Sequence, residues 1–376
     1  VAGVWRRGAK ALRKFALLML LACVPLWLYV LLWPVPVEPV AGQRYPDRGL
    51  TGPYAANHRL ATATLHALGG YRGPEMVRVR RWQGVLEVWM AVTTDDENRG
   101  RLLRWLPESN RVEEMADTGG RPLGFDFAAD GSVVVVDPMQ RGVFRVHDAS
   151  AGDRIETLLS VPGFLNALTI AADGRIYITE STQRFPPSAH GFAQALAFDA
   201  LEGRCSGRVW MHDPASGESR VLIEGLCFPN GIALGADGTS LFVSEMLAYR
   251  VLRLPVTGGA AQVLLSDLPG FPDNLTRGEH GRLWLALAAP RKPVLDFAAD
   301  KPWLRKMFAR WPLWLTPPPP RFAHVLAFSG DGEVLHDLQD GDGRLPSATG
   351  VTEFEGALYL HNLDQGELAV VRNLHF

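Results

Sequence analysis

PNGIALGADGTSLFVSE, residues 229–245, reads as an apolar strand, a tight turn at Asp237-Gly238 and a second alternating strand. Asp-Gly between two such runs is a strong hairpin signal, since those residues tolerate the positive φ that the turn demands. The same text recurs as PLGFDFAADG at 122–131, LNALTIAADG at 165–174 and PDNLTRGEHG at 272–281. Counting back seven residues from each turn puts Leu123, Asn166, Asn230 and Asp273 in one register. Two looser copies extend it: Glu75 stands eight residues before Gln83-Gly84, and Thr349 stands six before Glu355-Gly356.

Asp130 and Asp173 are 43 residues apart, as are Asp237 and His280, a period that fits one four-stranded propeller blade per repeat. The longer gaps accommodate insertions around 183–205 and 290–321. Six repeats between 73 and 374 therefore predict an all-β, six-bladed β-propeller. Its innermost strands begin with the register positions, which surround one central channel. Any one Asn or Asp at such a place is ordinary turn chemistry. Glu75, Asn166, Asn230 and Asp273 together offer two carboxylates and two amide carbonyls at equivalent points. An all-oxygen set without His or Cys suits Ca²⁺ better than zinc or copper.

The ordered fragments Gly73-Pro74-Glu75, GRPLG (120–124), LNALT (165–169), FPNGIAL (228–234), GFPDN (270–274) and GALYL (356–360) carry a resemblance. The chain resembles the superfamily of gluconolactonases, paraoxonases, squid-type diisopropylfluorophosphatase and strictosidine synthase, and within it the adipocyte plasma membrane-associated protein group. That resemblance implies a catalytic calcium on Glu75, Asn166, Asn230 and Asp273, with Asn274 added in the paraoxonase branch. Three departures matter. Thr349 stands where the synthase carries its catalytic glutamate, so a Pictet-Spengler condensation is not expected. Leu123 replaces a paraoxonase histidine, and Ala167 replaces an aspartate usual in the family.

A Ca²⁺ in the channel would polarise an ester, lactone or phosphoryl oxygen, with Asp273 as general base or nucleophile. Asp137, Glu180 and Glu245 end second strands of their blades. They either face the same channel or satisfy loop N–H groups. His361, in LYLHNL, is a candidate proton carrier or a structural histidine. The rival reading is a non-catalytic, membrane-tethered propeller that binds a partner or apolar ligand around a structural calcium.

Arg6, Arg7, Lys10, Arg13 and Lys14 precede an uncharged apolar run from Phe15 to Trp33. In a helix its length is about 28 Å, enough to span a bilayer core. Positive charge before the span predicts a single-pass signal anchor with a cytoplasmic N-terminus and an exported propeller. The alternative is a lipoprotein signal ending at Leu20-Leu21-Ala22-Cys23. The chain then divides into a basic segment (1–14), an anchor (15–33), a linker stiffened by Pro34, Pro36 and Pro39 (34–60), and the propeller (61–376).

With 47% apolar and 21% charged residues and a net charge of −2, no basic excess points to nucleic acid. Cys205 and Cys227 lie opposite each other across a predicted hairpin, either as buried free thiols or, given an exported location, as a disulfide. In the fifth-blade insertion, Trp303, Leu304, Met307, Phe308 and Trp311 recur at helical spacing among Lys301, Arg305, Lys306 and Arg310. This predicts an amphipathic helix. It packs on the propeller edge, roofs the channel mouth or, across residues 301–314, meets the lipid interface. The expected substrate is a small apolar lactone or ester.

Overall fold

Each register position falls in, or just before, the innermost strand of a four-stranded antiparallel sheet, and six such sheets make the ring. The computed structural model describes residues 14, 19, 21, 24–25, 27–147, 155–312, 316, 321–363 and 365–372. The innermost strands are Arg72–Trp82, Phe125–Phe127, Phe164–Ile170, Pro229–Leu234, Gly270–Arg277 and Ala348–Phe354. Second strands such as Val133–Asp137 and Ser240–Glu245 are buried along their whole length, because both faces pack against neighbouring blades.

The repeated Asp-Gly turns join first to second strands at the end of the ring away from the register positions. Gly131 and Gly174 adopt φ of 88° and 89°, conformations that a Cβ would disfavour. Asp130, Asp173 and Asp237 each accept the backbone N–H two residues on, at 3.0, 3.1 and 2.9 Å. The copies without Asp turn differently: Gln83, His280 and Glu355 are themselves left-handed, with φ of 50°, 54° and 48°, whereas Asp130, Asp173 and Asp237 are not.

Ring closure is a feature the repeat spacing does not reveal. Blade six takes three strands from the C-terminal region and its outermost strand, Thr64–Ala67, from before the first repeat. That strand pairs with Glu367–Val371 in the register Thr64↔Val370. Four mostly exposed residues carry no periodic apolar signal, which is why the repeats alone begin at 73.

Both insertions are helical, and both link second to third strands at the end of the ring where the innermost strands begin. Blade five carries Pro293–Ala298 and Pro302–Ala309, in line with the amphipathic pattern. Blade three carries Phe192–Glu202, for which the sequence showed only extra length. Arg305 locks the two insertions together. Its guanidinium is buried and donates to the carbonyls of Ala200 at 2.8 Å and Val40 at 3.1 Å.

The segment 34–60 is laid along this face rather than held free. Val37 is fully buried, Val40 N–H donates to Glu202 O at 3.0 Å, and Arg291 donates to the carbonyls of Tyr45 and Pro46 at 2.7 Å. An extended stretch has no internal partners for its carbonyls, so arginines of the propeller satisfy them.

Among the described residues of the expected anchor, Met19, Leu21, Val24, Pro25 and Trp27–Leu32 are helical. Arg310 donates to Trp33 O at 2.7 Å and to Val30 O at 3.2 Å, capping the carbonyl end of that helix. Among the described residues no helix is long and apolar enough to cross a membrane. The basic segment 1–13 and Leu20, Ala22 and Cys23 lie outside the described residues.

Candidate functional site

In five innermost strands, pairing with the second strand breaks at the register position. The breaks fall between Arg72 and Met76, Leu165 and Leu168, Pro229 and Ile232, Pro272 and Leu275, and Ala348 and Gly350. A bulge inserts an unpaired residue and re-aims its side chain. Here it turns Glu75, Asn166, Asn230, Asp273 and Thr349 into one cavity, which all five line.

The strands meet so closely beside the axis that the following residue has almost no room. A Cβ on Gly124 would lie 2.5 Å from Ala167 Cα, and one on Gly231 would lie 2.1 Å from Leu275 N. Ala167 is therefore part of a backbone-to-backbone contact between blades two and three. Leu123 departs from its neighbours: it is buried in the apolar cluster with Val134, Phe164 and Leu168, and it does not line the cavity.

Bulging frees backbone carbonyls of the site residues, and hydroxyls from neighbouring strands take them up. Thr179 Oγ1 donates to Asn230 O at 2.5 Å, Ser181 Oγ to Pro229 O at 2.8 Å, and Ser244 Oγ to Asp273 O at 2.6 Å. Thr349 Oγ1 donates to Glu75 O at 3.2 Å. Ser181 also receives Asn166 Nδ2 at 3.1 Å. These hydroxyls were missed in the sequence, although a Thr or Ser inside an otherwise apolar strand, as in IYITES or LFVSE, was their signal.

The cavity has a volume of about 330 Å³, within the range of small-molecule sites. Phe164, Phe192, Leu196, Phe228 and Met246 make an apolar wall above the polar floor. Three floor oxygens, Glu75 Oε2, Asn230 Oδ1 and Asp273 Oδ1, are buried without a donor. Leaving acceptors so costs free energy unless something positive satisfies them. Among the described residues no three His, Cys, Asp or Glu side chains converge as a metal group. The floor is thus two carboxylates with amide oxygens, a hard-donor set that fits Ca²⁺.

Burial pushes the Glu75 carboxyl up to about 7, opposed by the charge of Arg121 and a hydrogen bond from Asn274. Burial and then the charge of Glu75 hold Asp273 well above the usual carboxylate range, opposed by Asn230. Asn274 donates to Glu75 O at 3.2 Å and does not line the cavity, so it positions Glu75. Arg121, buried and absent from the sequence candidates, lies over the Phe192 ring at 3.8 Å and donates to Glu97 O at 2.6 Å.

The remaining candidates are engaged elsewhere, and none lines the cavity. Asp137 accepts the N–H groups of Met139 and Gln140 at 2.9 and 3.1 Å. Glu180 pairs with Arg208 at 2.7 Å and accepts Trp210 Nε1 at 2.9 Å. Glu245 pairs with Arg250 and accepts Cys227 N–H at 2.8 Å. His361 Nε2 bonds Thr352 Oγ1 at 3.0 Å, and burial, with Arg78 adding to it, lowers its pKa well below the ordinary value. Cys205 and Cys227 form a disulfide, which joins the base of the blade-three insertion to the entry of blade four.

These shifts set a pH dependence for the metal-free protein. Below the usual carboxylate value of 4.5 both folded and unfolded chains hold the Glu75 proton. Above it only the folded chain does, so stability falls as pH rises from there through about 7. Asp199, raised by burial to about 7, acts with the same sign. In chelator, the melting temperature is expected to be lower at about pH 8 than at about pH 5, and Glu75→Gln is expected to shrink that difference. An unaltered difference in the variant would remove Glu75 from the explanation.

A strictosidine synthase family model matches residues 166–258, and a strictosidine synthase-like N-terminal model matches residues 52–82. The adipocyte plasma membrane-associated protein of Danio rerio is 28% identical over 365 residues, covering 90% of this chain and 84% of that protein. A gluconolactonase from Xanthomonas campestris superposes with a TM-score of 0.54 at 18% identity, covering 89% of this chain and 98% of that one. The calcium-binding protein regucalcin from Agrobacterium tumefaciens gives 0.52 at 13%, covering 90% and 95%. At these identities the structural likeness shows the shared propeller fold.

Proposed function

We propose that this chain, a propeller similar to the strictosidine synthase-like superfamily and to its adipocyte plasma membrane-associated group, is a membrane-held, Ca²⁺-dependent hydrolase of lactones or aryl/alkyl esters. The observation that carries this reading is the set of three donor-free oxygens on the floor of an apolar-walled cavity. Glu75, Asn166, Asn230 and Asp273 would hold the ion. When bound, it supplies positive charge that polarises a carbonyl oxygen.

The chain's own residues do the rest. Phe164, Phe192, Phe228 and Met246 take up the apolar part of the substrate and exclude water. Asp273 is the proton acceptor, its Oδ1 buried on the cavity floor without a donor and its proton affinity raised by burial. Asn230 lines the same floor and opposes the rise in the proton affinity of Asp273. The deciding experiment is elemental analysis for Ca²⁺ with a lactone and ester panel on the detergent-solubilised full chain. Absence of both overturns the reading.

One observation favours a second reading. Among the described residues neither His, Lys nor Cys lines the cavity, so its acid–base groups are two carboxylates. A propeller that binds an apolar ligand without turnover would show Ca²⁺ in the elemental analysis and an inert panel.

Membrane attachment rests on the apolar N-terminal helix and on Val294, Phe297, Trp303 and Trp311, which are exposed on the helix-bearing face. Trp303 is 64% exposed beside Lys301 and Lys306, the composition of an interfacial helix. Protease added outside intact cells or spheroplasts is expected to digest the propeller and spare a tag on the N-terminus. The reverse pattern sinks the proposed orientation.

A further inference from the structure

Among the described residues the cavity carries one cation, and that cation has no anion of its own. Arg321 lines the mouth with Pro346, Ser347, Leu363 and Gln365, opposite in character to the acidic floor. Its Nη2 donates to Gln365 Oε1 at 3.3 Å, a long and neutral contact. Among the described residues no carboxylate lies within ion-pair distance of it, although other arginines of the fold pair readily with Asp or Glu. A divalent ion on the floor would balance Glu75 and Asp273. Arg321 would then leave the cavity with one uncompensated positive charge at the end remote from the reacting carbonyl.

From this arrangement we infer that the physiological substrate is amphipathic, an apolar lactone or ester whose far end carries a carboxylate read by Arg321. The inference rests on the proposed hydrolase reading and extends it to a substrate class. The physical reason is geometric as well as electrostatic. A guanidinium offers two parallel donors to a carboxylate, and Arg321, solvent-exposed at the mouth, is open to one. A substrate held at both ends is bound in one orientation, with its scissile carbonyl at the floor.

The test compares two γ-lactones that differ only at the end of a short alkyl chain, one ending in a carboxylate and one in the isosteric carboxamide. For the full-length protein with Ca²⁺, kcat/KM is expected to favour the carboxylate by roughly five- to tenfold, through KM, and less at high salt. Arg321→Gln is expected to bring the ratio to about one, and Arg321→Glu to invert it. Equal turnover of both lactones by the wild type, or a preference that survives Arg321→Gln, overturns the inference.

If neither lactone is hydrolysed, the hydrolase reading fails on its own, and binding decides the role of Arg321. The probes are then 4-phenylbutyrate and 4-phenylbutyramide, measured by equilibrium dialysis in chelator. There the floor holds no cation to attract an anion, so a preference for the carboxylate that disappears in Arg321→Gln supports the assignment. No preference in chelator, or one indifferent to the substitution, overturns it. A preference that exists only with Ca²⁺ places the carboxylate on the floor and overturns it as well.

Discussion

Asp273→Asn is expected to lower kcat/KM on a confirmed lactone or ester by at least ~100-fold while the propeller stays folded. Asparagine keeps the size of the side chain and one carbonyl oxygen, but it removes the negative charge and the proton acceptor. Stability separates this loss from simple damage. In chelator the wild type buries two mutually repelling carboxylates, so the variant is expected to melt no lower than wild type and to melt higher above about pH 7. With Ca²⁺ the order reverses, because the variant gives the ion one charge fewer. Full activity in Asp273→Asn would refute the catalytic assignment even with calcium bound at the floor.

Saturating Ca²⁺ is expected to raise the melting temperature of the chelated protein. A ligand at a hundred times its dissociation constant adds about 2.7 kcal/mol to folding, which for a domain of this size is roughly 4 °C. Mg²⁺ should do less, because it dehydrates reluctantly and fits an all-protein cage of this kind poorly. Glu75→Gln and Asp273→Asn should each reduce the Ca²⁺ shift, whereas Asp137→Asn, at a strand end away from the cavity, should leave it intact. A melting curve indifferent to both chelator and Ca²⁺ would mean that the floor oxygens are satisfied by protons instead.

The fold was legible because the hairpin text repeats the same physics in each blade. Asp237-Gly238 between two apolar runs specifies a turn, and counting residues from each such turn is enough to bring Glu75, Asn166, Asn230 and Asp273 to one place. What the count could not show is how they get there. A bulge is not a residue type, so the pairing breaks at Asn166, Asn230 and Asp273 leave no local mark. Arg121 lies within GRPLG (120–124), yet its role depends on Phe192 and Glu75, far away in sequence. Leu123 had the right register and the wrong surroundings: without a bulge at that place, it joins the core. The helix Phe192–Glu202 was hidden for another reason, since its apolar residues run round most of its circumference and leave a weak amphipathic pattern.

The pairing of Thr64–Ala67 with Glu367–Val371 also governs how the chain is made. Its two halves leave the ribosome about 300 residues apart. At roughly 5–20 residues per second, the earlier strand waits on the order of 15–60 s for its partner. During synthesis the early blades therefore exist as an open arc with unpaired edges, the form most exposed to mispairing with other nascent chains. That open arc, rather than the closed ring, is the form in which the chain needs chaperone cover.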